Sequence, residues 1–324
     1  EALALADRHL MRMPESGRFH TLRALALGKL GRHGEALAAA DRAVALAPGD
    51  AEARTARTVA LCELDRFVEA RDEVEIARAA GGAGAAFQQA LASVQTGLRD
   101  FDAALAAMQR SIELEPNLVL AHYNYAFLLL SLRDFRRGFA EHEWRLKMKE
   151  NVQPRMLSAA APWRGEDVRG RKLLLYYEQG HGDTIQFTRY VRPLIERGAT
   201  VTLVVQEALR RLYEANFPGV DVVSRLGARS GFDFQAPLMS LAHLFGSTWE
   251  TVPAAIPYLA ADDARVAKWR ERLGAGFRIG IVWQGNPKYK RDRTRSFRPH
   301  AFGPLAAVPG VRLISLQTHG PADD

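Results

Sequence analysis

Apolar and small residues in the first half of the chain fall into a layout that repeats. "EALAAADRAVALAPGD" at 35–50 and "AALAAMQRSIELEPNL" at 103–118 share it, and Pro48 and Pro116 stand 68 residues apart, twice 34. The copy between them, "VEARDEVEIARAAGGA" at 68–83, has Gly82 where the prolines fall. Ala36, Ala70, Ala104 and Gly138 occupy one phase of a 34-residue period, Ala43, Ala77 and Ser111 a second, and Phe67, Phe101 and Phe135 a third. Each unit reads as a helix pair whose small residues let the helices approach closely. One pair cannot bury its apolar face alone, so neighbours must stack. The stretch 118–146 reads as the last pair, ending near Trp144.

A 34-residue period with small residues at two fixed places and a closing proline resembles the tetratricopeptide repeat. That resemblance implies a groove for a protein partner, against a plainer reading as spacer or oligomerisation surface. His122, Tyr123, Asn124 and Tyr125 read as helix packing and groove lining.

At 151–170, "NVQPRMLSAAAPWRGEDVRG", the phase breaks, and prolines, small residues and charges predict a linker. Short apolar runs then alternate with amphipathic ones. Strands are predicted at 172–177, 199–206, 220–225, 277–284 and 311–317, and helices over 184–198, 207–217, 262–274 and 297–308. Such alternation implies a parallel, doubly wound α/β sheet, with ligands at the carboxyl ends of its strands. The expected domains are therefore 1–150 for the repeats, 151–170 for the linker, 171–275 for one α/β half and 276–324 for the start of another.

Two loops after strands carry candidate chemistry. "EQGHGD" at 178–183 has Gly180 and Gly182, which suit a tight strand-to-helix turn. It is not a dinucleotide fingerprint, because Ile185 stands where a third glycine belongs. Asp183, with Gln186 three residues on, also resembles a capping box that need do nothing but start a helix. The second loop, in "WQGNPKYKRDRTRS", collects Lys288, Lys290, Arg291, Arg293, Arg295 and Arg298 around Asn286 and Ser296. Arginine forks there suit a pyrophosphate; the plainer reading is a solvated basic loop partly offset by Asp292.

Composition narrows this picture. The chain has 324 residues, a net charge of +7 and one cysteine, Cys62. A lone cysteine forbids an internal disulfide and fits a reducing, cytoplasmic setting. The nine histidines form no His-Glu-x-x-His pattern, so no metal site is expected. No apolar run is long enough for a membrane span. The basic charge permits nucleic acid, but Tyr289 alone could stack a base in the basic loop, which makes nucleic acid the weakest partner.

The order of repeats, "EQGHGDTIQFTRY", "IPYL", "GIVWQGNPKYKRDRTRSF" and "ISLQ" resembles bacterial tetratricopeptide-repeat glycosyltransferases related to the heptosyltransferases and the O-linked N-acetylglucosamine transferases. The resemblance implies a glycosyltransferase-B fold of two Rossmann-like halves that uses a nucleotide-sugar and no metal. It makes Asp183 the general base on an acceptor hydroxyl. Gln179, Gly180, His181, Gly182 and Gln186 become substrate-binding residues, although His181 departs from the apolar residue expected at its place. Asn286, Lys288, Lys290, Arg293, Arg295 and Ser296 become ligands of the donor diphosphate. On this likeness the donor half is incomplete at 324, and the chain is expected to be inactive alone. The competing reading is a repeat adaptor that binds proteins and carries a degenerate or incomplete transferase domain.

Overall fold

The computed structural model describes residues 1–148, 157–285, 292 and 295–317. The chain divides into two compact units, Glu1–Ala260 and Ala261–Asp324.

The first unit opens with α1 (Ala2–Arg12), followed by four helix pairs: α2 (Gly17–Lys29) with α3 (His33–Leu46), α4 (Ala51–Glu63) with α5 (Phe67–Ala79), α6 (Ala85–Gly97) with α7 (Phe101–Leu114), and α8 (Val119–Ser131) with α9 (Phe135–His142). The small residues of both phases are buried at the helix contacts. At the fourth copy the residue is Gly138, because a Cβ there would come within 2.8 Å of the Leu130 side chain. Ion pairs keep the same period: Arg23–Asp7 recurs as Arg57–Asp41, and Arg32–Glu35 as Arg66–Glu69. Arg54 and Arg57 also clamp the buried carboxylate of Glu73.

The turn inside each pair repeats a left-handed backbone position. Gly31 (φ 76°), Asp65 (φ 60°), Arg99 (φ 66°) and Arg133 (φ 67°) fall 34 residues apart. Only the first is a glycine, so packing of the pairs imposes a conformation that three of the four side chains resist.

The second part of this unit is a five-stranded parallel sheet of order β1-β5-β2-β3-β4. Its strands are β1 (Ala161–Pro162), β2 (Lys172–Tyr176), β3 (Thr200–Val204), β4 (Asp221–Val223) and β5 (Phe234–Pro237). Leu173, Leu174, Leu175 and Tyr176 of central β2 are all buried. The helix expected over 184–198 is instead α10 (His181–Phe187), a 3-10 turn at Thr188–Tyr190 and α11 (Val191–Glu196). Pro193 lacks the amide needed to continue one helix through this stretch. Next come α12 (Glu207–Asn216) and, after β5, α13 (Leu241–Leu244).

The segment expected as a linker is not a free connection. Residues 151–156 of it lie outside the described residues, but Ala161 and Pro162 pair with Phe234 and Gln235, and Trp163 and Val168 enter the sheet's core. Strand β5 has no counterpart among the expected strands. Its Gln235 is buried and fully bonded: Oε1 accepts from the amides of Leu157 and Ser158, and Nε2 donates to the carbonyls of Ser158 and Ala160.

In the second unit, α14 (Asp263–Leu273), capped by Asp262, precedes β6 (Phe277–Ile281). The helix expected over 297–308 is reduced to a 3-10 turn at Pro299–Phe302 and α15 (Gly303–Ala306). Strand β7 (Val311–Ser315) then pairs in parallel with β6. Among the described residues no helix is long and apolar enough to cross a membrane.

Two neighbouring substitutions test the repeat packing with opposite signs. A Cβ at Gly97 would lie 2.1 Å from the Phe67 ring. Gly97→Ala should therefore cost about 1–3 kcal/mol, despite alanine's better helix propensity. Arg99→Gly should raise stability by up to about 1 kcal/mol by relieving the left-handed position, less glycine's entropic cost. Urea unfolding of both variants reads the difference.

Candidate functional site

The order of the sheet defines a switch point. The chain steps from β2 outward to β3 and β4, then returns to β5 on the other flank of β2. In parallel sheets the crevice between two such strand ends is where ligands settle. Here Glu178 follows β2, and Ser240 lies just beyond β5.

A side chain of the protein itself occupies that crevice. Arg145, from the 3-10 turn Glu143–Lys147 after the last repeat helix, is fully buried. Its Nη2 donates to Glu178 Oε2 and Ser240 Oγ, both at 2.8 Å, and its Nη1 donates to Glu143 Oε1 and the His142 carbonyl. Ser240 Oγ in turn donates to Glu143 Oε2 at 2.7 Å. Burial alone would lower the guanidinium, but Glu178 and Glu143 raise it above its ordinary value. Burial pushes the Glu178 carboxyl up, against the pull of Arg145 and the Met239 amide. Glu178, the first residue of "EQGHGD", therefore joins the sheet to the repeats.

The rest of that motif faces outward. Helix α10 begins at His181, earlier than a cap at Asp183 would place it. Asp183 occupies the third helical position, partly exposed, and its Oδ2 accepts from the Gly180 amide at 3.0 Å. The reciprocal half of a capping box cannot form, because glycine has no side chain to offer. The Gln179 carbonyl accepts from Gln206 Nε2 at 2.9 Å, and Gln206 Oε1 is buried without a partner among the described residues. Gly180 and Gly182 are exposed, and neither has a left-handed backbone. A Cβ on Gly182 would meet nothing. The backbone thus admits other residues at 180 and 182, although a Cβ at Gly180 would come within 3.3 Å of Asp183 Oδ2. The exposed Gln186 side chain bonds to nothing among the described residues.

Of the basic loop, Asn286, Lys288, Lys290 and Arg293 lie outside the described residues, and so does Arg291. Ser296 Oγ accepts from the Gly285 amide at 2.9 Å, and Arg295 Nε pairs with Asp292 at 3.1 Å. The side chains of Asp292 and Arg295 close over Gly285, where a Cβ would come within 2.7 Å of both. Among the described residues no three His, Cys, Asp or Glu side chains are grouped to hold a metal. Cys62 is buried, and burial pushes its thiol up to about 12, so it is no nucleophile.

On the repeats, the four consecutive polar and aromatic residues of α8 divide as packing predicts. His122 and Tyr125 are buried, Tyr123 is half-buried and Asn124 is exposed. His122 is held by Glu141 and the Pro116 carbonyl, and it stacks on Trp144 at 3.6 Å. Tyr123, half-exposed Phe127 and buried His142 form an aromatic group beside it. Burial and Arg145 push His142 down to about 3.

Residues 17–50 and 85–118 match the tetratricopeptide repeat, so the chain carries such repeats. It is 29% identical over 249 residues to Protein FlbA of Caulobacter vibrioides, covering 70% of this chain but only 41% of that relative's length. Among solved structures, a thermophilic tetratricopeptide-repeat protein of Thermus thermophilus is 20% identical with a TM-score of 0.42, covering 46% of this chain and 82% of its own. PilW, a type IV pilus biogenesis factor, is 18% identical with a TM-score of 0.40, covering 46% and 70%. None of these likenesses speaks to sugar transfer.

The buried node makes two outcomes measurable. Glu178→Ala should destabilise the first unit by about 3–5 kcal/mol, because Arg145 loses a buried counter-charge; the loss should shrink when Arg145→Met is added, as urea unfolding of the pair would show. His142 titrates near 6.5 in the unfolded chain and at about 3 in the fold. Between those values the unfolded chain holds a proton that the fold refuses. Stability should therefore fall as pH drops through that window, by roughly 1.4 kcal/mol per pH unit from this group. His142→Leu should flatten that limb of a stability–pH curve measured by chemical denaturation.

Proposed function

We propose that the chain is a protein-binding scaffold whose tetratricopeptide repeats capture a polypeptide segment. The carrying observation is that four helix pairs keep one 34-residue phase, two of them matching the tetratricopeptide repeat. Repeats of this kind bury their shared contacts and leave one series of helix faces for a partner. Of the first helices of the four pairs, α2 exposes Leu22 and Leu25 and α8 exposes Leu120 and Phe127, while α4 and α6 expose no large apolar side chain. Apolar groups left in water beside polar neighbours are characteristic of interaction surfaces. The seating of Arg145 at the switch point supports the same reading, since it fills the place where the sheet would hold a ligand's charged group.

A second reading, transfer of a sugar from a nucleotide-sugar to a protein or glycan, is favoured by the open turn at His181–Asp183. In it a glycosyltransferase-B fold places Asp183 as base, with Gln179, Gly180, His181, Gly182 and Gln186 around the acceptor. Asn286, Lys288, Lys290, Arg293, Arg295 and Ser296 hold the diphosphate. The bare flank of Gly182 and the unpartnered Gln206 Oε1 support an approaching ligand there.

Thermal unfolding scanned against UDP, GDP, ADP, CMP and their sugars separates the two. A nucleotide at about 100 times its Kd stabilises by roughly 2.7 kcal/mol. The scaffold reading expects no shift, and a shift with one nucleotide that survives in Asp183→Asn while sugar transfer is lost would establish the second reading instead.

A further inference from the structure

We infer that a cavity where the last repeat meets the sheet is a binding site for an aromatic side chain of a partner polypeptide, flanked in that partner by carboxylates. The inference rests on the protein-binding reading and gives it a place and a chemistry.

The repeat phase explains why the cavity exists. Phe67 opens its helix and packs its ring against Gly97 of the next pair. Phe135 stands at the same phase of α9, but no further helix pair follows it. It meets Phe139 and Trp249 instead, with ring centroids 5.4 and 5.5 Å away. Between α9, the start of the sheet's first crossover and the loop at 249–254 lies a cavity of about 340 Å³. That size is at the small end for ligand sites, enough for one ring and its backbone and too small for a nucleotide-sugar.

The walls select the guest. Phe135, Phe139, Phe187, Tyr190 and Trp249 all face the cavity. Aromatic rings recognise another ring by offset or edge-to-face contact. Trp249 is half-exposed at the mouth, which leaves a face for the guest to cover. The charge on the lining itself is positive, while Glu250, next along the loop from Trp249, accepts from the Thr248 hydroxyl. Arg189 lines the cavity, Arg133 lies 4.2 Å over Trp249, and no carboxylate is among the lining residues. Gln186, also at the lining, offers a donor and an acceptor to an extended backbone. It lies one helical turn beyond Asp183, so a bound segment runs past the outward-facing turn.

The test is calorimetric titration of the 324-residue chain with acetylated, amidated pentapeptides. The probes are Asp-Asp-Phe-Asp-Asp, the same peptide with Ala for Phe, and Lys-Lys-Phe-Lys-Lys. The first should bind at least tenfold more tightly than either control. Ala254→Trp, which fills the cavity from an exposed position, and Trp249→Ala should each weaken it at least tenfold, while Val68→Ala, an exposed residue of α5 that is not among the cavity's lining residues, should not. Equal binding of the Phe and Ala peptides, absence of binding, or indifference to Ala254→Trp would overturn the assignment. Loss of binding in Phe127→Ala with none in Ala254→Trp would also overturn it, yet would leave the protein-binding reading standing on the repeats.

Discussion

The buried guanidinium of Arg145 is the constraint on which the first unit depends. A charge taken out of water is costly unless its donors are satisfied and its counter-charges are close. Glu143, Glu178 and Ser240 supply the counter-charges and bond the two terminal nitrogens from three separate parts of the chain: the end of the repeats, the end of β2 and the start of the segment after β5. Removing any of them exposes an imbalance the apolar surroundings cannot absorb. The repeats and the sheet therefore form one packed body, with Phe139 of α9 inside the sheet's core. A switch point usually left to ligands is used here to fasten a domain.

The repeat array shows how a shared geometry disciplines unlike residues. Asp65, Arg99 and Arg133 adopt the backbone that Gly31 adopts without strain, because the helices on either side are already placed by buried alanines. The ion pairs that keep the same period give way where the array turns apolar: Leu91 stands where Arg23 and Arg57 stand in the earlier copies. The array ends on a phenylalanine with no following helix to receive it, and the sheet fills that role incompletely. The cavity at the junction is the consequence of joining a periodic element to one that does not share its period.

These features weigh on function together. A crevice closed by an internal ion cluster and the exposed apolar side chains of α2 and α8 favour recognition of protein over chemistry at the sheet. The open turn at His181–Asp183 is what supports the alternative, and its carboxylate is bound to a backbone amide in the meantime. A cap and a base need the same atom in nearly the same place, so the two roles do not compete until an acceptor arrives.

Much of this was legible in the chain itself. A 34-residue recurrence of small residues, prolines and phenylalanines determines helix pairs, because only stacking neighbours can bury faces of that period. Apolar runs such as Leu173–Tyr176 determine a buried parallel strand, because only a strand covered on both sides tolerates them. Asp183 was visible as a helix-starting residue, though the helix starts at His181 and the glycines around it are not required by the backbone. Other features carried no local signal. Strand β5 has a buried Gln235 and ends at Pro237; only pairing with β1 and β2 and four hydrogen bonds with residues 157–160 make that glutamine a core residue. Trp163 and Val168 looked like linker until the sheet gave them something to pack against. Nothing in a sequence tells that Arg145 and Glu178, 33 residues apart, will meet in a dry crevice. Periodic patterns are written residue by residue because burial of a face is a local demand; the pairing of buried polar groups is decided only by which elements the fold brings together.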